Sequence, residues 1–407
     1  MTSGFTWSLP RQGETAANGE DALKALLDRD PGDWSGILDR RFATLNDVLF
    51  ARKPAVIYPA ARMGRQAAQR LRAMRVQIIG FGDSDPTLSG ATIDGLPVFS
   101  PAEIAAQHRH DPILVASTLF DSVIVEDLRA RGCSAVIPVG YLNLRLPEVF
   151  SAREYQGSWT AVTDKVNRPA IEAAFSLLGD ADSRRVFLGK LAFYLSLDKD
   201  HLDKIKSEAT IYFDPNIYAL GAAEVVVDGG AYTGDTLTSF RDRSGDRFHS
   251  YYAFEPDEAN FAVLSDISAT DSKRVVAIQA GLAGDSAKAR LLSTSAMDSR
   301  VLNEDEPGGA QIDMVRLDDY FDGRPSPTLI KMDIEGAEAA ALSGAARLLR
   351  ESAPVLAVSA YHFPTDLWTI PLLIKRLMPN GRLYLRHYTR EVDDTVCYAL
   401  PPDRVLS

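Results

Sequence analysis

An acidic residue followed by closely spaced glycines marks the part of this sequence best suited to bind a small molecule. Three valines at 225–227 lead into Asp228, Gly229 and Gly230, and Asp235 precedes a helical pattern. A short β-branched run is typical of a buried parallel strand. The glycines permit a tight turn and close approach of the backbone to a ligand. Asp235 suits a helix start, where free N–H groups and the helix dipole favour an anionic group.

The glycine spacing excludes two familiar phosphate-binding loops. Residues 230–234 lack the middle glycine of Gly-x-Gly-x-x-Gly, and no Gly-Lys-Ser/Thr sequence follows them. A second acid, Glu255, ends the next predicted strand and is followed by Pro256. A carboxylate there can accept hydrogen bonds from both ribose hydroxyls of a nucleoside. Together with Asp228, it favours an adenosyl group that carries an amino acid over a pyrophosphate, and S-adenosylmethionine is the natural candidate.

Acids and one histidine also follow the other predicted strands of the C-terminal half. Ligands of a doubly wound sheet sit at the carboxyl ends of its strands. The residues at these ends are Asp228, Glu255, Gly281 with Leu282, Asp333 with Glu335, and His362. Each acid alone is typical of a helix cap or a loop, but five strand ends of this composition favour one shared site.

Several motifs resemble those of a known family, the FkbM methyltransferases. They are residues 228–236, 254–256, 317–320, 330–338 and 361–368. The resemblance covers about residues 220–400, and Lys-Met-Asp-Ile-Glu-Gly-Ala-Glu at 331–338 is its most specific part. It implies S-adenosylmethionine-dependent O-methylation, usually of a sugar or natural-product hydroxyl.

The resemblance also implies a cofactor site. The loop at 230–234 would face the methionine part, Asp228 its ammonium group, and Asp235 with Thr236 its carboxylate. Glu255 would hold the ribose, and a loop at 281–282 would border the adenine. The predicted cofactor-binding residues are Asp228, Gly229, Gly230, Tyr232, Gly234, Asp235, Thr236, Glu255, Pro256, Gly281 and Leu282.

Methylation of a hydroxyl requires that its proton be removed, so a base or a metal is expected nearby. His362 has the more suitable unperturbed pKa for a base, and Asp333 could orient it or act in its place. Alternatively, Asp333, Glu335 and His362 could hold a divalent ion that acidifies the hydroxyl. Nothing in the spacing requires a metal. His387, on a late strand, is a further candidate, but a packed or capped residue is the favoured interpretation there.

The pattern of elements around these residues predicts an α/β protein with a Rossmann-like methyltransferase sheet at 221–407. A smaller Rossmann-like α/β domain is predicted at 51–145, preceded by a helical segment at 1–50 and followed by a helical connector at 146–220. Aromatic residues are dense in the connector. Packing between domains is the favoured interpretation of them, and a lid over the site is the alternative.

The N-terminal α/β pattern resembles a nucleotide-sugar or dinucleotide-type module. Its first turn, residues 59–64, keeps only one glycine, so a docking or substrate-presenting role is favoured over binding of NAD. Two other functions therefore stay open: a nucleotide-sugar- or NAD-binding enzyme that uses this domain, and a non-catalytic scaffold. The survival of Asp228, Glu255, Asp333 and His362 together argues against the scaffold.

Composition restricts the partners. The formal net charge of −11 argues against nucleic acid as a ligand. The two cysteines form no metal-binding or disulfide pattern, and no apolar run reaches membrane-spanning length, so a cytoplasmic location is predicted. The expected partner is a small-molecule or saccharide acceptor; association into a homo-oligomer stays open.

Overall fold

A computed structural model describes residue 9 and residues 16–150, 152–295, 298–301 and 308–406 of the chain. Of the predicted helical segment at 1–50, residues 1–8 and 10–15 lie outside these ranges. Within the described ranges, no helix combines the length and the apolar character needed to cross a membrane.

The N-terminal part contains two helices and then a six-stranded sheet. The elements are α1 (Ala16–Leu27), α2 (Pro31–Phe50), β1 (Ala55–Tyr58), α3 (Arg62–Ala73), β2 (Ile78–Gly82), β3 (Thr92–Ile93), β4 (Leu96–Phe99), α4 (Pro101–Gln107), β5 (Ile113–Val115), α5 (Asp121–Ala130), β6 (Val136–Ile137) and α6 (Val139–Arg145). The sheet order is β3-β4-β2-β1-β5-β6, and only the pair β3–β4 is antiparallel. The alternation of strands and helices therefore predicted the parallel sheet correctly.

A helical region links the two sheets. It contains α7 (Ser158–Thr163), α8 (Arg168–Ser176), α9 (Ala181–Ser196) and α10 (Asp200–Asp203). Helix α9 is buried on nearly every face, because β16 of the C-terminal sheet and the helices α1, α2, α7 and α10 surround it. Phe175, Phe187, Phe193 and Tyr194 are all at most 2% exposed and belong to this shared core, as the packing interpretation predicts.

The C-terminal part is built on a seven-stranded sheet. Its elements are β7 (Val225–Gly229), α11 (Asp235–Ser244), β8 (Ser250–Phe254), α12 (Glu258–Ala269), β9 (Val275–Ile278), β10 (Gly281–Leu282), β11 (Ala287–Ser295), β12 (Asp298–Val301), β13 (Ala310–Val315), α13 (Leu317–Tyr320), β14 (Leu329–Met332), α14 (Glu338–Gly344), α15 (Ala346–Ser352), β15 (Val355–Ser359), α16 (Asp366–Leu377), β16 (Arg382–His387), β17 (Thr395–Leu400) and a 3-10 helix (Pro402–Arg404).

The order of the large sheet is β16-β17-β15-β14-β7-β8-β9, in which β17 is antiparallel to both of its neighbours. The five parallel strands, taken in chain order, have the arrangement 3-2-1-4-5 of a doubly wound Rossmann-type sheet. The carboxyl ends of β7, β8, β14 and β15 consequently lie side by side, and this is where the predicted site residues follow the strands.

Two details differ from the sequence-based expectation. Gly281 and Leu282 form β10, a strand of a separate sheet in the order β10-β13-β11-β12, whereas a loop was predicted there. A single helix is predicted over residues 337–350 after β14, and the structure divides this segment into α14 and α15. A Cβ on Gly344 would lie 2.1 Å from the Ala283 carbonyl oxygen, so the close approach of β10 accompanies the interruption. Buried Asp318 then accepts hydrogen bonds from the backbone N–H groups of Arg347 and Leu348 at the start of α15.

Ion pairs join the N-terminal sheet to the loop between β16 and β17. Lys199 contacts Asp121 at 2.7 Å and also contacts Glu391, and Glu391 accepts a hydrogen bond from the Ser122 backbone N–H at 3.0 Å. Arg390 lies 2.8 Å from Glu126 of α5. The start of α5 therefore helps to position a loop that reaches toward the C-terminal strand ends.

Candidate active site

The glycine loop after β7 packs against the loop after β14. Gly230 has φ +72°, and a Cβ at this position would lie 1.9 Å from the Asp333 carbonyl oxygen. A Cβ on Gly229 would lie 2.6 Å from Leu282 Cδ1. Glycine is therefore required at position 230, where the close atom belongs to the backbone, whereas at position 229 the end of the Leu282 side chain would have to shift. Leu282 is buried on β10 beside Gly229, and its predicted position at the border of the adenine stays a prediction.

We predict that Gly230→Ala destabilises the protein by roughly 2 kcal/mol more than Gly90→Ala, because overpacking costs about 1–3 kcal/mol. Gly90 is the matched control: its φ is +75°, but no atom lies within 4 Å of an added Cβ. Both variants therefore carry the left-handed backbone strain, and only Gly230→Ala carries the clash. Urea unfolding of the two variants measures the difference, and equal midpoints would contradict the close packing of Gly230 against Asp333.

Asp228 has a different environment from the one predicted. Its side chain is fully buried, and its carboxylate lies 2.9 Å from Lys331 Nζ and accepts a hydrogen bond of 2.7 Å from the Tyr251 hydroxyl. Lys331 also donates to the carbonyl oxygens of Gly229 and Gly230. Burial lowers the pKa of Lys331, but the negative charges of Asp228 and Asp333 outweigh this effect and raise the pKa above its ordinary value. The ammonium group therefore stays charged. Because both carboxylate oxygens face internal partners, Asp228 supports the loop, and the predicted contact with a methionine ammonium is not what this geometry favours.

Glu255 lies directly after β8, next to the glycine loop. One carboxylate oxygen accepts from the Tyr232 backbone N–H at 2.9 Å, and the other accepts from the Asp257 N–H at 2.9 Å. Burial raises the pKa of Glu255, and these hydrogen bonds partly offset that effect. Each carboxylate oxygen has a second lone pair, so the predicted hydrogen bonds to ribose hydroxyls are compatible with the contacts observed.

The remaining predicted cofactor residues surround the start of α11. Tyr232 and Gly234 both have positive φ, 48° and 90°, and turn the chain into the helix. Asp235 is exposed and Thr236 is buried at the first two helical positions. Pro256 is half-buried after Glu255, on the neighbouring strand end. The structure therefore brings residues 229–236 and 255–256 to one edge of the sheet, as predicted.

His362 is enclosed by carboxylates. It is 1% exposed, with Nδ1 at 3.1 Å from Glu338 Oε1 and Nε2 at 3.5 Å from Asp333 Oδ1 and 3.8 Å from Glu335 Oε2. Burial lowers the pKa of His362, but Glu338, Asp333 and Glu335 outweigh it and raise the pKa to about 10. An imidazole that already carries its proton is a poor acceptor at neutral pH, so the surroundings of His362 favour Asp333 for the predicted role of base.

Asp333, directly after β14, is contacted by residues from the connector and from the end of β15. It accepts hydrogen bonds from the hydroxyls of Tyr212 at 2.8 Å and Tyr361 at 3.1 Å. Burial raises its pKa, but His362, Lys331 and the Tyr212 hydrogen bond together bring the pKa below its ordinary value. About a quarter of the side chain remains exposed. Asp333 is therefore an ionised carboxylate that a ligand can reach.

Glu335 completes the cluster from a constrained backbone. Its φ is +59°, an uncommon conformation for a residue with a side chain. Arg153, from the segment before α7, lies 2.6 Å from Glu335 Oε2 and also donates to the Glu335 carbonyl oxygen. The side chain of Glu335 thus faces His362 on one side and a cation of the connector on the other.

Several residues near the site have no clear signal in the sequence. Tyr212 and Arg153 come from the connector, and Asp394 from the loop after β16. Burial, together with Asp393 and Asp333, raises the pKa of Asp394 to about 7. Loop acids are common, so only the fold places Asp394 near Asp333 and His362. His387 is fully buried and lies 2.9 Å from Thr395 Oγ1, which agrees with the packed role predicted for it.

Comparison with known proteins agrees with the resemblance in the C-terminal part. Residues 228–394 match the family model described as the methyltransferase FkbM domain. The N-terminal sheet lies outside this match, so its resemblance to a nucleotide-sugar or dinucleotide-type module stays a prediction. None of the curated proteins matches the sequence.

Solved structures include one of similar extent. The crystal structure of methyltransferase FkbM from Methylobacillus flagellatus KT is 23% identical, covers 94% of this chain and 99% of its own, and has a TM-score of 0.70. At this identity the likeness establishes the fold. Aeropyrum pernix fibrillarin with natively bound S-adenosyl-L-methionine is 12% identical over 44% of this chain and 69% of its own, with a TM-score of 0.29. A SAM-dependent methyltransferase from Aquifex aeolicus is 15% identical over 50% of this chain and 97% of its own, with a TM-score of 0.26.

Proposed function

We propose that the protein transfers the methyl group of S-adenosylmethionine to a hydroxyl of a saccharide or a related polar metabolite. One observation carries the proposal. Within the region that matches the FkbM domain, the loop at 229–236 meets the loop that bears Asp333, and Glu255 lies on the adjacent strand end. A cofactor cradle and an ionised carboxylate therefore share one edge of the sheet.

The reaction is an in-line displacement at a methyl group on positively charged sulfur. Its leaving group is a neutral thioether, so positioning of the acceptor supplies much of the acceleration. Asp333 accepts the proton of the acceptor hydroxyl as the new carbon–oxygen bond forms. Tyr212 and Tyr361 hold the carboxylate in place through their hydroxyls, and charged His362 keeps it ionised.

The proposed class of acceptor is supported by the groups around Asp333. Glu335, Asp394 and Arg153 offer charged oxygens and nitrogens, and Tyr212 and Tyr361 add hydroxyls at the same place. Charge-assisted hydrogen bonds of this kind suit an acceptor with several hydroxyl groups.

Calorimetry tests the cofactor, and transfer of a labelled methyl group tests the reaction. We expect the purified chain to bind S-adenosylmethionine and to release S-adenosylhomocysteine when offered a panel of monosaccharides and nucleotide-sugars. Products are identified by mass spectrometry as O-methyl ethers. Binding of NAD with no heat signal from S-adenosylmethionine would reverse the proposal in favour of an enzyme that uses the N-terminal domain.

A cavity in the N-terminal domain is the reason for including NAD in this experiment. A cavity of about 660 Å³ lies beyond the end of β1 and is lined by Arg62, Arg65 and Arg72 together with residues of the first turn. Arg65 is already held by Asp94 at 2.8 Å. A Cβ on Gly64 would lie 2.1 Å from the Pro59 carbonyl oxygen, so this glycine serves the turn. Docking or presentation of an acceptor is our proposal for this domain.

Glu255→Ala is expected to weaken S-adenosylmethionine binding by roughly 10- to 100-fold, because hydrogen bonds to a charged group contribute about 1.5–3 kcal/mol. The variant loses the predicted ribose contacts and the bonds that hold the Tyr232 N–H. Glu258→Ala, an exposed glutamate in the first turn of α12, is the matched control. Calorimetric titration measures the S-adenosylmethionine affinity of both variants. Unchanged affinity in Glu255→Ala would mean that Glu255 does not bind the ribose.

A further inference from the structure

The histidine between the strand ends has a nitrogen that its protein neighbours do not satisfy. His362 is 1% exposed, and among the described residues neither ring nitrogen makes a hydrogen bond of good geometry, although Nδ1 lies 3.1 Å from Glu338 Oε1. The nearest carboxylate oxygens on that side belong to Asp333 at 3.5 Å and Glu335 at 3.8 Å. These separations are long for hydrogen bonds. Two ligand atoms that share one ion at about 2.1 Å are roughly 3–4 Å apart, and the two separations measured from Nε2 fall in that interval. Glu335 Oε2 also accepts a hydrogen bond of 2.6 Å from Arg153.

The opposite nitrogen identifies which side an ion would occupy. Donor atoms of Asp333, Glu338 and His362 all lie within 4.8 Å of one another, but one ring cannot direct both nitrogens at the same ion. Nδ1 faces Glu338, whose carboxylate also accepts from the Ile334 N–H at 2.8 Å. Metal-binding histidines almost always donate their second N–H to a carboxylate or carbonyl. Glu338 therefore has the place of that outer partner, and Nε2 is the free ligand atom.

Charge supports the same conclusion. Asp333, Glu335 and Glu338 surround the ring with three carboxylates, and Arg153 is the guanidinium paired with Glu335. Three negative charges less one positive charge leave an excess of two negative charges when the imidazole is neutral. A divalent cation balances that excess and takes the place of the imidazolium proton as the positive charge beside Asp333, whereas a proton on the ring balances half of it. Buried charges without compensation are costly.

We propose that His362 Nε2, Asp333 and Glu335 bind a divalent cation, with Glu338 accepting the hydrogen bond from Nδ1. One nitrogen and two carboxylates suit Mn²⁺, Mg²⁺ or Zn²⁺. The role of the ion rests on the proposed function: a divalent ion lowers the pKa of a coordinated hydroxyl and so assists loss of the acceptor proton. The site itself is defined by these side chains alone.

Mn²⁺ is the probe for the test. The full-length protein, treated with chelator and dialysed, is titrated with MnCl₂ while free Mn²⁺ is followed by electron paramagnetic resonance. We expect one saturable site per chain, and at least about tenfold weaker binding in His362→Gln and in Glu338→Gln, as loss of an outer partner typically costs 10- to 100-fold in affinity. Glu351→Gln alters an exposed glutamate and is the matched control.

The outcomes separate this inference from the proposed function. Absence of saturable Mn²⁺ binding, or binding that His362→Gln leaves unchanged, overturns the metal site even if S-adenosylmethionine binds. Saturable binding lost in His362→Gln, with no heat signal from S-adenosylmethionine, supports the site and overturns the methyltransferase proposal. Should His362→Gln fail to fold, Glu335→Gln replaces it, because Glu335 is 37% exposed and its substitution disturbs the core less.

Discussion

Asp333→Asn is expected to reduce methyl transfer by about 10²- to 10⁴-fold while leaving S-adenosylmethionine affinity nearly unchanged. The substitution keeps the size of the side chain and an oxygen that can accept from Tyr212 or Tyr361. It removes the negative charge that accepts the acceptor proton. A loss of this size corresponds to about 3–5 kcal/mol of transition-state stabilisation. Single-turnover transfer of a labelled methyl group measures it.

The control for this experiment is Asp322→Asn. Asp322 is 83% exposed and is linked to Arg347 by a contact of 4.0 Å, so turnover should not change. Calorimetry on Asp333→Asn separates an effect on chemistry from an effect on cofactor binding. Full turnover in Asp333→Asn would exclude Asp333 as the base, and Asp394 would then be the next carboxylate to examine because its pKa is raised to about 7.

The arrangement of the C-terminal sheet was predictable because short apolar runs ending in an acid or a glycine repeat along it. Each run is a parallel strand, and parallel strands place their carboxyl ends on one edge. This reasoning correctly placed Gly230, Glu255, Asp333 and His362 near one another. The local sequence identifies each strand, and the parallel topology of the sheet then brings the residues that follow the strands together.

The state of individual side chains was not predictable in the same way. Asp228 and Lys331 are 103 residues apart in the sequence, and their contact depends on the register of β7 with β14. His362 has an ordinary sequence context, yet its surroundings raise its pKa to about 10, because Glu338 faces it from α14, the helix that follows the neighbouring strand β14. Arg153 and Tyr212 reach the site from the connector. Such effects depend on long-range packing, which determines desolvation and charge.

The acids at the strand ends therefore have distinct roles that their positions alone do not reveal. Asp228 is fully buried and paired, so it supports the backbone of the glycine loop. Glu255 orders two backbone N–H groups beside that loop. Asp333 is partly exposed and ionised, as the proposed acceptor chemistry requires. Under the proposed function, carboxylates would therefore have structural, binding or catalytic roles according to their burial and their partners.

Lys331→Met is expected to lower the free energy of unfolding by about 3–5 kcal/mol, because it leaves the Asp228 carboxylate buried without its cation. Asp228→Asn should cost a similar amount, since Lys331 then lacks its counter-ion. The double variant should lose less than the sum of the two single variants, with a coupling energy of up to about 3 kcal/mol. Urea unfolding of the four proteins gives this coupling directly.

The matched control is the exposed pair Lys288–Asp313, in which both side chains are more than 60% exposed and 3.6 Å apart. Lys288→Met should change stability by less than about 1 kcal/mol, because solvent screens such a pair. The contrast isolates burial, since both lysines lie on or beside strands of the same half of the chain. Additive losses in the Lys331 and Asp228 variants would mean that the two charges do not stabilise each other. The loop carbonyls of Gly229 and Gly230 would then be the main partners of Lys331.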